Sequence, residues 1–427
     1  MQKGDPIVFS VDSFGFDGAG VGRAHGKIMR VFGGLPGEVV EAEIVGRKKG
    51  EYTGKLLGIN QPSPHRQEPR EDHYLSCSAW QVLSYDQELF WKKKLAQELF
   101  AGIGIELPNL EITTDGVMEG YRNKMEFTLA PKDSNISGAF HERHTHKLLT
   151  LSGCMLAQKE INNALVRIVD FLNAHGMPPA AAKSLILRAN RAGEILAGLF
   201  VQDRAVVLPP IQELLGTHIK GVSVFYSPPE APASRPEGLL AEAGEEKIYE
   251  QILDKAFPMT ILSYFQINPP VFELALSRMR EFVGKGDNVL DFFSGVGAIG
   301  LSLRDKVKTL TAVELDDASF ALLDEGARAT GGNIHAVHAS DRKARELIDG
   351  EHVLIMDPPR AGVHPKVIGR ILEVLPPKIL YLSCNPVTQA HDLAILKDAY
   401  QITHAELFNF FPRTPHIESL FVLEKLL

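Results

Sequence analysis

The chain has 427 residues, with 44% apolar and 23% charged residues, a net charge of −8 and three cysteines. That length calls for two or three domains, each able to bury a core, and the composition is that of an ordinary soluble globular protein. It contains no apolar run of about 18 residues that would predict a membrane helix, no apolar core and cleavage site that would make "MQKGDPIVFSVDSFG" a signal peptide, and no disulfide framework, since cysteines 77, 154 and 384 are far apart and suit a reducing, cytoplasmic setting.

Residues 1–64 read as a small β-barrel of OB-like type: short β-branched runs broken by glycine turns, with "GLPGEVVEAEIV" as a turn and an alternating strand. "GRKKGEYTGK" predicts a basic hairpin with an aromatic inside it, either an RNA-binding surface or a solvated hairpin on a structural barrel. The net negative charge counts against nucleic-acid binding, although the local field in one groove matters more. Residues 65–105 read as a Pro-rich linker followed by a helix over about 84–102 that packs on the catalytic domain. Residues 106–258 mix strands ("KMEFTLA", "SLILRAN", "GEILAGLFV") with helix ("AQKEINNALVRIVDFLNAHG"), an α+β central domain.

From 259 to 427 strands and helices alternate, which predicts an α/β fold, a doubly wound Rossmann-like domain with a largely parallel sheet. "NVLDFFSGVGAIGLSL" sets Gly295, Gly297 and Gly300 between a strand and a helix, where the backbone can turn sharply and approach a ligand. That motif alone is weak and also suits a dinucleotide fold. Glu314 closes the next strand at about the 20-residue spacing of a ribose-gripping carboxylate. Asp291 is a further polar group at the first strand end, Asp341 follows the third, and the fourth runs into "MDPPRAG", Asp357 to Gly362. The fifth strand ends in "LSCNP", with Cys384 before the first turn of a helix, where a thiolate is favoured. A small core cysteine is the alternative. Glu418 interrupts an apolar strand, an expensive place for an unpaired charge. A thiol and a carboxylate converging on one pocket suggest a nucleophile and a general base.

Taken together, "DFFSGVGAIG", "VELD", "DPPRAG", "LSCNP" and "FPRTPHIE" resemble the S-adenosylmethionine-dependent RNA 5-methyluridine methyltransferases. "SYFQINP" and "YRNKMEFTLA" extend the likeness upstream, and "GLPGEVVEAEIV" looks like the TRAM barrel of the 23S ribosomal RNA branch. The resemblance implies Cys384 as nucleophile toward uracil C6 and Glu418 as the base for the C5 proton. It implies Gln266, Phe293, Gly295, Gly297, Ala298, Glu314, Asp341 and Asp357 as contacts to S-adenosylmethionine, with Phe265 either stacking on a neighbouring base or in the core. The partner implied is RNA, ribosomal over transfer RNA, acted on by a monomer. A transfer-RNA enzyme, a non-catalytic RNA-binding factor on a retired fold and a small-molecule methyltransferase are the alternatives. Many TRAM-bearing relatives hold an iron–sulfur cluster on four cysteines. Here Glu71 and Trp80 stand at two of those positions, and only Cys77 and Cys154 remain. No cluster and no metal are therefore expected, the two cysteines reading as remnants in the core, with a zinc site from Cys77, Cys154, His73 and Glu71 as the alternative.

Overall fold

The structure, a computed structural model, describes residues 1–426 except 144, 146 and 233. The first strands, Pro6–Phe14, Gly20–Ala24, Lys27–Val31, Val39–Lys48 and Glu51–Gln61, close into a five-stranded barrel. Alternation decides which side faces in: Phe9, Val11, Met29, Val31, Val40, Ala42 and Ile44 fill the interior. Tyr52, the aromatic of the basic hairpin, joins them at 8% exposure, with Arg47 over its outer face at 5.2 Å. It is barrel core rather than a stacking platform.

The barrel is not a free module. Glu38 is fully buried and accepts from Arg66 Nε at 2.6 Å and Nη2 at 2.8 Å, across the linker. Phe14 packs on Trp80 with ring centroids 4.7 Å apart. The linker is thus stapled at both ends. The helix Tyr85–Ala101 then buries Ala96 and Phe100 in the catalytic core, with Phe100 against Phe421 at 4.7 Å. Its Lys92 and Glu88, both buried, pair at 2.7 Å, and Lys92 also donates to Asn409 Oδ1 at 2.7 Å and the Phe411 carbonyl at 3.1 Å. Glu88 in turn accepts from the Arg413 backbone at 3.0 Å. One helix therefore fixes the loop that leads into Glu418.

The central unit is a seven-stranded sheet over residues 124–244, with the helix Lys159–Ala174 on one face. Two pieces of the 106–258 segment lie elsewhere. Glu111–Thr113 is the edge strand of the catalytic sheet, pairing with 406–408. The hairpin of Ile248–Ile252 and Lys255–Met259 packs its apolar side on the catalytic core.

The catalytic sheet runs, in space, 334–338, 309–314, 288–292, 352–356, 378–383, 418–425, 400–408, 111–113. The first five strands are parallel and read as continuous apolar runs because helices cover both faces. Glu418–Lys425 enters antiparallel between the fifth and 400–408. No helix among the described residues is long and apolar enough to cross a membrane.

Candidate active site

The reversal of the last strand builds the site. Parallel strands present their carboxyl ends together, and ligands gather there. An antiparallel strand brings its amino end to the same edge. Ser383 pairs with Ser419, so Cys384, one residue on, stands opposite Glu418, one residue back. Pro386 opens the following helix, Pro386–Leu396, with Asn385 as its cap, accepting from Val387 N at 3.2 Å. Asn385 Nδ2 also donates to the Arg360 carbonyl at 2.7 Å, tying the cysteine loop to the Asp-Pro-Pro loop. Gln389, wholly buried, donates to the carbonyls of Tyr381 at 2.9 Å and Ser419 at 3.1 Å. It clasps the two strands that carry Cys384 and Glu418.

A cleft of about 950 Å³ opens over this edge, lined by Phe293, Gly295, Glu314, Asp341, Asp357 and Cys384, among others. A narrow crevice beside it, about 20 Å³, is lined by Gln266, Ala298 and, again, Phe293, Gly295 and Asp357. Two of the predicted residues line neither. Gly297 has φ +84°, and a Cβ there would meet Leu323 and Leu301 at 2.7 and 2.8 Å. Its turn and the packing around it admit no side chain. Glu418 is 1% exposed and lies beneath Cys384's edge of the cleft, with Oε2 unpartnered. Asp291 is likewise fully buried, its Oδ2 accepting from Gly300 N at 3.1 Å. It braces the glycine turn from below, and burial pushes its carboxyl up to about 8. Phe293 holds a left-handed φ of +64°, a strained conformation typical of functional turns.

Glu314 is tightly held. Its Oε2 accepts from Gly295 N at 2.7 Å, and its Oε1 from the backbones of Leu315 and Asp316 at 2.7 and 2.6 Å. The carboxylate therefore joins the glycine turn to the second strand end, with its remaining lone pairs toward the cleft. Asp357 Oδ2 accepts from Gln266 Nε2 at 3.0 Å. Burial pushes Asp357 up to about 7 despite that bond. Burial and then the neighbouring Asp357 charge push Glu418 well above its ordinary value, opposed by Arg360.

Cys384 departs from expectation. The helix start predicts a depressed thiol, yet burial, Glu418 and Asp357 push it up to about 12, with only Arg360 among the charged neighbours lowering it. Desolvation and two carboxyls outweigh a half-charge at a helix end. The resting thiol is neutral.

Sequence reasoning missed two cleft residues. Arg360 sits in the MDPPRAG motif, of which only Asp357 was singled out; its guanidinium lies 3.2 Å from His416 Nδ1 and faces both the thiol and Glu418. Tyr264 is 60% exposed and lines the cleft, whereas Phe265 is 2% exposed and packs between Phe257 and Phe272.

Residues 243–426 match the family model described as tRNA (uracil-5-)-methyltransferase. An RNA methyltransferase of Caldanaerobacter subterraneus subsp. tengcongensis is 28% identical over 450 residues, covering all of both chains. One from Halalkalibacterium halodurans is 26% identical over 450 residues, covering 99% of this chain and 98% of its own. Among solved structures, Pyrococcus abyssi tRNA (uracil-54, C5)-methyltransferase in complex with S-adenosyl-L-homocysteine superposes with a TM-score of 0.81 at 23% identity, over 98% of this chain and all of that one. At that identity the likeness speaks to the fold, a Rossmann-like methyltransferase carrying an N-terminal barrel. With the motif constellation at the sheet edge, residues 243–426 carry the tRNA (uracil-5-)-methyltransferase family model, and the whole chain is similar end to end to RNA methyltransferases.

Proposed function

We propose that this protein methylates C5 of one uridine in structured RNA, with Cys384 as nucleophile and Glu418 as proton acceptor. The observation that carries the reading is the reversed last strand, which sets a buried, unpartnered carboxylate opposite the one cysteine of the cleft. The Cys384 thiol gives its proton to solvent in the cleft, its sulfur adds to uracil C6, and the electron pair of the C5–C6 bond moves toward C5 and O4. S-adenosylmethionine, consumed as co-substrate, supplies the electrophilic methyl group that C5 takes. Glu418 then accepts the C5 proton, the C5–C6 double bond re-forms and the C6–S bond breaks. Arg360 offsets negative charge at the thiol and at the base. The target base must leave its stack to reach this depth.

The residues fit such a donor. Glu314 presents acceptors where ribose hydroxyls would lie, Asp341 and Asp357 add carboxyls, Phe293 gives an apolar wall, and Gly295 keeps the backbone open; Gln266 and Ala298 stand at the crevice beside them. Glu314→Ala is expected to weaken S-adenosylmethionine binding by roughly 10- to 150-fold, about 1.5–3 kcal/mol, while RNA binding changes little. Calorimetry with each ligand separates the two, and an equal loss for both would mean that the turn had collapsed.

For the RNA, we favour 23S ribosomal RNA over transfer RNA. The barrel's Arg47, Lys48, Lys49 and Lys55 are exposed around its 49–50 turn and offer phosphate contacts away from the cleft to either RNA. The likeness to a transfer-RNA enzyme keeps the second substrate in view. The protein works in the cytoplasm as a monomer in this reading. Mapping 5-methyluridine by mass spectrometry in both RNAs from a deletion strain decides the target. Changing the four basic residues to Ala should then slow methylation of the intact RNA and flatten its salt dependence, but spare a short target hairpin. Loss of a transfer-RNA methyl group alone would overturn the ribosomal assignment.

A further inference from the structure

The segment 71–77 and the loop at 153–156 meet away from the cleft. Glu71, His73, Cys77 and Cys154 each bring one ligand atom there, and all four atoms lie within 4.8 Å of one another. His73 and Cys77 flank the short helix Tyr74–Cys77 and are four residues apart, so one turn aims both at the same point. The Cys77 and Cys154 sulfurs are 3.6 Å apart. A disulfide needs about 2.05 Å, so the two are separate thiols. His73 Nε2 and Glu71 Oε2 are 3.4 Å apart.

We propose that these four residues form a closed, structural zinc site. Zinc binds thiolate at about 2.3 Å and imidazole or carboxylate at about 2.0–2.2 Å. At tetrahedral angles two such sulfurs are then about 3.8 Å apart, and the nitrogen and oxygen about 3.4 Å. The observed 3.6 and 3.4 Å agree with these to within about 0.2 Å. The set of two sulfurs, one nitrogen and one oxygen suits a borderline-soft ion without demanding redox chemistry.

The surroundings suit it too. His73 Nε2 is buried and makes no hydrogen bond. The Glu71 carboxylate, 3.4 Å away, stands against its desolvation. Glu71 is aimed from behind, its Oε1 accepting from Met155 N at 2.6 Å and its Oε2 from Gln81 Nε2 at 3.0 Å. Asn162 grips the other loop, accepting from Cys154 N at 2.9 Å and donating to its carbonyl at 3.1 Å. Such outer partners orient ligands in metal sites. Binding releases both thiol protons and leaves the ion with two thiolates and a carboxylate, one net negative charge. The Arg122 guanidinium lies near both sulfurs and balances it.

The ion would join the linker to the central domain. Just beyond its ligands, Trp80 N donates to the Arg413 carbonyl at 3.1 Å, and Tyr121 Oη donates to the Pro412 carbonyl at 3.0 Å. The site thus sits behind the loop that delivers Glu418, and it stands in place of the vestigial core cysteines expected from the sequence.

Metal analysis of the full-length protein, purified under argon, tests this. About one zinc per chain is expected, with iron and acid-labile sulfide at trace levels. Adding Co²⁺ to the reduced, metal-stripped protein should raise a thiolate-to-cobalt charge-transfer band and strong visible absorption, quenched by Zn²⁺. The Cys77→Ser/Cys154→Ser double variant should lose both signals, and Cys384→Ala should keep them. The cobalt spectrum of the wild-type chain decides even if the double variant misfolds. No zinc at purification and no cobalt spectrum on titration would overturn the proposal. So would stoichiometric iron with sulfide.

Discussion

Replacing Cys384 with alanine should abolish methyl transfer, by roughly 10⁴-fold or more, about 5.4 kcal/mol of transition-state stabilisation. No other cysteine lines the cleft, and Cys77 and Cys154 lie in another domain. The variant removes one sulfur from a half-buried position, so its stability should stay within about 1 kcal/mol of the parent. Binding of S-adenosylmethionine should survive. Residual methylation at more than about a hundredth of the parent rate would return Cys384 to the role of a small residue at a strand end.

The same thiol carries a pH signature. Burial and two carboxyls push it up to about 12, so the thiolate is scarce at neutral pH. Site-resolved alkylation of Cys384 should therefore be slow at pH 7 and rise about tenfold per unit toward pH 10. A rate already level at pH 7 would mean a depressed thiol, with the helix end and Arg360 prevailing over the carboxyls.

The alternating strands and helices after residue 259 were legible because both-face burial leaves continuous apolar runs of strand length. The strand at Glu111–Thr113 was not: three residues carry no period, and only its pairing with 406–408 makes it a strand. Cys384 and Glu418 could be named, but their meeting depended on a reversal of strand direction that no pattern in 418–425 declares. Gly297 is a different case. Its motif suggested a ligand contact, and the packing of Leu301 and Leu323 is a further reason for glycine there that the motif does not declare. The docking of the barrel was invisible because it rests on Glu38 and Arg66, two charged residues that look like surface until they are found paired and buried. Tyr264 and Phe265 differ by one position along the chain, and only the fold decides which of them faces the cleft.

Glu418→Gln should not resemble the cysteine variant. Glu418 is held well above its ordinary carboxyl value by burial and by Asp357, and glutamine matches the shape and charge of its protonated form. The sign of the stability effect follows. A carboxyl whose folded value is raised opposes folding increasingly as pH climbs from its ordinary 4.5 toward the folded value, so the variant should gain in melting temperature relative to the parent as pH rises from 4.5 to 8. Chemistry should stop late rather than early. Cys384 still adds to C6 and C5 still takes its methyl group, but the amide accepts no proton from C5. The C6–S bond then cannot break, and the protein stays joined to methylated RNA. A denaturing gel should show a slow-migrating species that needs both RNA and S-adenosylmethionine and disappears in the Cys384→Ala/Glu418→Gln double variant. Normal turnover by Glu418→Gln would transfer the role of base to Asp357, the other carboxyl at this edge. Loss of activity with no covalent species would place Glu418 before the methyl transfer, as the group that tunes the thiol rather than the one that takes the proton.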